Sequence, residues 1–413
     1  MLSVDTNLDI HSVKNKIPEF RSENPVKIRH LTIFAPMKHF PVLLIAIIFF
    51  QSEKVQAQKR LIEKFLSNKS DTSRKASFII LPAAAYAQET GVEFGGLSIT
   101  SFYVDKNDTT IRNSTINTIV TFTTKKQSNF VVKPDIWSRG NKYHYSGTFR
   151  YKNFPFNFYG TGDKTNKSDE DKITQKLLVI NADVERMIVR KIYAGINAGY
   201  ERYRYKDKEA GGIYDTGDAE DKDGGNVFYA GISGIFDSRN SNTYTTKGWY
   251  LKLNYSYAPG FTGTNDFQGA LIRADLRNFQ KLNTKATLGF NINYQSVQGD
   301  KLPFYLLPQL GNDQVMRGYY TGRYRDQNLV AAHTEFRYRF MTRFGIAAFT
   351  GTGTTFRNQM FKWKNLKPNY GAGIRYFVDP ARGLTMRADY AVGEKRAGEA
   401  RQTGFYLALS EAF

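Results

Sequence analysis

The chain has no cysteine, which excludes a disulfide framework, a thiolate metal site and a cysteine nucleophile. Its five histidines never fall at metal-ligand spacing, so neither a zinc centre nor any other metal or cofactor is expected. Long hydrophobic runs are missing too. The longest, residues 40–50, falls short of the about 20 apolar residues a membrane-spanning helix needs. Proline is scarce, at 12 in 413 residues. Abundant instead are 26 Tyr, 31 Phe and 34 Gly, and that enrichment without a helical pattern favours many β-strands. The net charge of +20 is spread along the chain instead of gathered in one helix or tail. That distribution argues against nucleic acid and for a basic lumen, or loops that meet lipid phosphates.

Residues 1–36 show no clear periodicity. From Met37 the text changes: a short basic lead (Lys38-His39), the apolar run 40–50, and the small residues of a cleavage site at Val55-Gln56-Ala57. These are the three parts of a secretory signal peptide. Residues 1–57 are therefore expected to be an extension plus signal peptide, with Met37 as the start and cleavage after Ala57. Residues 58–76 are expected to form a periplasmic linker, too short for a folded domain, and 77–413 the barrel.

Strands are predicted at 77–87, 92–104, 113–124, 129–138, 142–153, 173–187, 191–206, 226–237, 248–258, 267–281, 284–298, 328–340, 344–356, 368–378, 383–392 and 403–413. In the twelfth, Val330, Ala332, Thr334, Phe336 and Tyr338 share one face, and His333, Glu335, Arg337 and Arg339 the other. In 284–298, Leu288, Phe290, Ile292 and Tyr294 oppose Lys285, Thr287, Asn291 and Asn293. Apolar-out, charged-in alternation is what a membrane barrel strand requires. A soluble sandwich alternates as well, so the signal peptide, the even strand number and the turn lengths decide. Long connections fall mostly on one side, at 154–172, 207–225, 299–327, 357–367 and 393–402, and short links mostly on the other. The expected fold is all-β: a 16-stranded antiparallel transmembrane β-barrel in the outer membrane of a Gram-negative bacterium.

Four stretches resemble the BamA/TamA superfamily of outer-membrane assembly proteins: Ala85-Tyr86-Ala87-Gln88-Glu89-Thr90-Gly91; Phe236-Asp237-Ser238-Arg239-Asn240 with Lys247-Gly248-Trp249-Tyr250; Met316-Arg317-Gly318-Tyr319; and the terminus Gly404–Phe413. The resemblance implies that the loop carrying Arg317, Gly318 and Tyr319 folds into the lumen. There Arg317 meets acidic residues of the strand walls, with Glu335 the partner that parity favours. At Gly351 the family usually has an aspartate, so a second acidic partner is expected to be missing. Pro82 in the first strand and Gly404 in the last mark a weakly paired seam, as lateral opening needs. Gly404, Leu407, Leu409 and Phe413 resemble the signal by which barrel-assembly machinery recognises its clients. The resemblance further implies outer-membrane lipid and lipopolysaccharide around the wall, and outer-membrane protein clients. The alternative is a passive transport or structural barrel plugged by its own loop.

An enzyme is the weaker reading. His144 and Ser146 are spaced as in outer-membrane phospholipases, but both share the inward face with Lys142, Thr148 and Arg150, away from lipid. No third group that would orient the base stands out. The carboxylates of 168–171 and 218–221 are read as solvated outer loops.

Overall fold

The computed structural model describes residues 73–87, 91–207, 210–261 and 266–413. The chain divides into two units, Met1–Leu66 and Ser67–Phe413, and every described residue belongs to the second. The expected extension, signal peptide and most of the linker lie outside the described residues, as does the tip of the first hairpin, 88–90.

Eighteen strands follow one another: β1 (Ser77–Ala87), β2 (Gly91–Phe102), β3 (Ser114–Thr123), β4 (Ser128–Trp137), β5 (Tyr143–Phe158), β6 (Asp171–Val189), β7 (Ile192–Asp207), β8 (Asn226–Asp237), β9 (Gly248–Pro259), β10 (Gln268–Lys281), β11 (Ala286–Gln298), β12 (Gln309–Leu310), β13 (Tyr324–Arg325), β14 (Asn328–Tyr338), β15 (Phe344–Phe356), β16 (Lys367–Asp379), β17 (Leu384–Val392) and β18 (Thr403–Leu409). Sixteen form one antiparallel sheet in sequence order, β1 to β11 and then β14 to β18. The short pair β12 and β13 makes a separate hairpin inside the connection from β11 to β14. The sheet curls into a barrel. Lys252 of β9 reaches Asp183 and Glu185 of β6 across the interior, and Arg382, between β16 and β17, donates to the carbonyl of Lys75 just ahead of β1.

Alternation along the strands explains this wall. In β14, Ala331, His333, Glu335 and Arg337 are buried while Phe336 between them is exposed. Ile196, Ile232, Trp249, Leu253, Ile292 and Ile374 are likewise exposed large apolar side chains on neighbouring strands. In water such a surface would be a severe liability; in a bilayer it is the solvated face. Among the described residues no helix is long and apolar enough to cross a membrane.

Three expectations are corrected. First, β5 runs on to Phe158, because Phe154, Pro155 and Phe156 pair with Gln175, Thr174 and Ile173 of β6 instead of opening a loop. Second, Lys285 lies in the turn before β11 and is exposed, since Asn283 Oδ1 accepts its backbone N–H there. Third, the last strand stops at Leu409. Ser410 adopts a left-handed backbone (φ 69°), and Glu411, Ala412 and Phe413 turn inward and are buried.

Candidate functional site

The connection 299–327 is anchored from its base downward. Its hairpin places Arg323 against Glu399 of the β17–β18 connection in a two-pronged pair at 3.0 and 3.1 Å. Thr165 of the β5–β6 connection donates to the Arg323 carbonyl at 2.7 Å. Burial pushes the Glu399 carboxyl up, but the backbone N–H of Lys167 and the Arg323 guanidinium outweigh it and hold it below the ordinary range. Leu310, Met316, Tyr319 and Tyr324 then pack with Leu329 and Ala331 into an apolar knot. Burial raises the pKa of the Tyr319 and Tyr324 hydroxyls, which keeps both as donors: Tyr319 to the carbonyl of Pro368 (2.6 Å), Tyr324 to Glu394.

Below the knot the loop delivers Arg317, which is 2 % exposed. Its Nη2 donates to Glu335 Oε2 at 2.6 Å and its Nη1 to Asp389 Oδ2 at 2.7 Å. The guanidinium lies 3.4 Å from the centroid of Phe349, and the Arg317 carbonyl accepts from Asn369 at 2.7 Å. The walls carry more of the same chemistry. Glu335 also accepts from Arg337 (2.7 Å), Asp389 from Arg375 (2.5 Å) and Arg387 (2.7 Å), and Glu411 from Arg375 (2.9 Å). Arg387 closes the set on Asp313, beside the loop tip, at 2.6 Å. Four arginines thus face four carboxylates. Charge-assisted hydrogen bonds of this kind are short and directional, so they fix a loop's position as well as its presence.

Gly318 follows with φ 95°, and a Cβ there would lie 3.0 Å from the Val392 carbonyl carbon and 3.1 Å from the Gly393 nitrogen. Its N–H donates to the Tyr406 hydroxyl at 2.8 Å, so the loop tip is tied to β18 itself. A Gly318→Ala protein should lose roughly 1–3 kcal/mol through left-handed strain alone, with the clash added. Thermal unfolding in detergent should show a lowered midpoint, and an unchanged midpoint would mean the backbone is free to adjust.

The second acid is a correction to the sequence reading. The role expected to be vacant at Gly351 is filled by Asp389 on β17, two strands further along. Gly351 has no room for an acid: a Cβ would sit 2.5 Å from His333 Nδ1 and 2.8 Å from Asn369 Oδ1. Of the other site residues, Pro82 is the sixth residue of β1, opposite Gly96. Gly404 lies in β18 opposite Ala391, and the Tyr406 ring occupies the space a Cβ there would need. Strands β1 and β18 stand at the two ends of the hydrogen-bonded order. Leu407 faces outward and Leu409 is half-buried. Phe413 is inside, against Phe279, with its carbonyl accepting from Arg337 at 2.9 Å.

The remaining polar motifs serve the lumen. His144 hydrogen-bonds through Nδ1 to Glu185 (3.0 Å) and has Asp135 3.5 Å from its Nε2, while Ser146 faces Lys252. Asp171, expected in a solvated loop, is buried and accepts the backbone N–H of Tyr214 at 2.9 Å. Glu220 likewise accepts from Leu302 at 2.7 Å, pinning the start of the long loop.

Residues 112–413 match the Omp85 superfamily domain. No curated protein matches the chain in sequence. Among solved structures, BamA from Haemophilus ducreyi lacking POTRA domains 1–3 is similar with a TM-score of 0.52 at 11% identity, covering 86% of this chain and 77% of that one. CdiB from Acinetobacter baumannii gives a TM-score of 0.47 at 11% identity, covering 82% and 66%. With the family domain spanning the greater part of the sequence and a barrel of the BamA kind around the clamped loop, the chain belongs to the Omp85 superfamily and is an outer-membrane β-barrel.

Proposed function

We propose that this barrel assists the insertion or translocation of outer-membrane proteins in the outer membrane of a Gram-negative bacterium. The observation that carries the reading is the clamp: one inward loop is bonded to β14, β17 and β18, and so braces the barrel up to its last strand. The loop thus holds one end of a hydrogen-bonded order whose two ends are β1 and β18. An unpaired edge there can template a client strand by β-augmentation. Lipid and lipopolysaccharide surround the wall, barrel-assembly machinery places the protein, and unfolded barrels are the clients.

The chain's lack of cysteine makes the test direct. Ile80→Cys in β1 is combined with cysteines scanned along Thr403–Leu409, and each pair is reconstituted in liposomes with an unfolded barrel client. The oxidised pair that forms is expected to lose the acceleration of client folding, and reductant to restore it. Acceleration that survives a complete cross-link would sink the gate.

A second reading, a passive or structural barrel, draws on the apolar plug where Phe304 and Tyr305 of the long loop pack with Phe158, Tyr203 and Tyr214. Steady ion conductance with no effect on client folding would favour it.

A further inference from the structure

The mouth on the side of the short connections contains a cavity of about 680 Å³, which no element of the clamp enters. Its lining is drawn from the connections β2–β3, β4–β5, β6–β7, β8–β9 and β16–β17, together with the segment leading into β1. Six basic side chains line it: Arg74, Arg112, Arg190, Lys191, Arg239 and Arg382. Asp237 is the one acidic residue in that lining, and two arginines already consume it. Arg239 grips both of its oxygens at 3.0 and 2.8 Å, and Arg112 approaches at 3.2 Å. Counting Asp379, which pairs with Arg382 from behind, still leaves an excess of four positive charges. Charges of one sign in a cleft with low-dielectric walls focus the field outward and raise the local concentration of oppositely charged partners.

The wall of the cavity is rich in donors. Arg74 Nε, Asn113 Nδ2 and Arg382 Nε are buried donors on lining residues, and none has an acceptor among the described residues. Arg382 and Asn113 are each only 5% exposed. Buried donors are ordinarily satisfied; these three sit within the wall behind the cavity and add to its cationic, donor-rich character. Arg190 and Lys191, also in the lining, form the exposed β6–β7 turn.

We propose that this mouth is a docking site for an acidic polypeptide segment, one rich in Asp and Glu side chains. A single phosphate could satisfy one pair of arginines, but the cationic groups come from separate connections around the opening. The volume is that of a pocket for a multi-group ligand. The lining also faces into the barrel mouth instead of its lipid-facing wall. On the orientation that puts long connections outside, the segment belongs to a periplasmic partner. Binding itself requires no insertion activity, so this inference and the function proposed above can fail separately.

The test uses the full chain in neutral detergent and a fluorescein-labelled ten-residue polyglutamate, read by anisotropy at 50 mM salt. Saturable binding is expected, absent with polyglutamine and weakened at 300 mM salt, where screening is strong. Arg190→Glu with Lys191→Glu should weaken it at least tenfold. Lys362→Glu with Lys364→Glu, the same charge change in the exposed β15–β16 connection, should alter it less than twofold. The slower unfolding-dependent gel band after heating confirms that both variants are folded. Equal effects of the two pairs, or none from the first, would overturn the site. So would inorganic phosphate competing as well per mole as the peptide, which marks a small-anion site. Displacement by phosphatidylglycerol in mixed micelles but not by neutral micelles would assign the mouth to lipid and overturn the proposal equally.

Discussion

An Arg317→Ala protein should fold as a barrel but release its long loop, at a cost of about 3–5 kcal/mol. The cost does not come from losing attraction alone. Glu335 and Asp389 are fully buried, and the arginine supplies one hydrogen bond to each. Without it, the surrounding arginines must carry both carboxylates, and a space the size of a guanidinium opens over Phe349. Arg317→Lys should recover less than half of the loss. An ammonium presents a point charge where a planar fork spans two acceptors on different strands, and it stacks less well on a ring. Limited proteolysis of the reconstituted protein reads the outcome. Cleavage within 299–327 should rise at least tenfold in Arg317→Ala while the strands stay protected. A loop that stays resistant would show that its base, held by Arg323 and the aromatic plug, is sufficient. In the client-folding assay the same variant should lose most of its acceleration if the clamp sets the state of the barrel's ends.

The legible part of this architecture is the part with a short period. Period-two alternation in β14 puts Glu335 and Arg337 on the inner face, and the resemblance to BamA/TamA barrels, not spacing, supplied Arg317 as the partner that parity then assigned to Glu335. Turn chemistry and connection length placed most strand ends within a few residues. Phe154-Pro155-Phe156 misled because proline and aromatics next to a polar stretch resemble a strand end. Pairing with the unusually long β6 overrides that local signal. The tail misled for the opposite reason. Phe405, Leu407 and Leu409 continue an outward alternation, and nothing local says that Ser410 breaks it. What breaks it is Glu411, drawn to Arg375, and Phe413, drawn into the space left by Gly289 on β11. The cationic mouth was invisible for a further reason: its six basic residues are scattered from Arg74 to Arg382 and converge only when the sheet curls.

Asp389 shows the same limit most sharply, and it supports the other large prediction. Arg387 and Asp389 share a face of β17, with both side chains buried. The partner of Asp389 was not readable, because 72 residues separate it from Arg317 and only the barrel's curvature joins them. Asp389 accepts from three arginines, at 2.7, 2.5 and 2.7 Å, whereas Glu335 accepts from two and has Arg375 at 3.6 Å. Removing it leaves Arg317, Arg375 and Arg387 close together with one carboxylate fewer among them. Asp389→Ala should therefore destabilise at least as much as Arg317→Ala, again about 3–5 kcal/mol, measured as the denaturant midpoint in detergent. The two losses should not add: a double variant removes a cation and an anion of the same cluster, so a coupling of about 0.5–3 kcal/mol is expected from the cycle. Gly351→Asp introduced into Asp389→Ala restores the formal charge at the position where the resemblance to BamA/TamA barrels implies an acid. It should nonetheless fail to rescue, because His333 and Asn369 already fill the volume its Cβ would need. Rescue by Gly351→Asp alone would show that the pocket around His333 is plastic, and that the second acid can move between β15 and β17 without cost to the clamp.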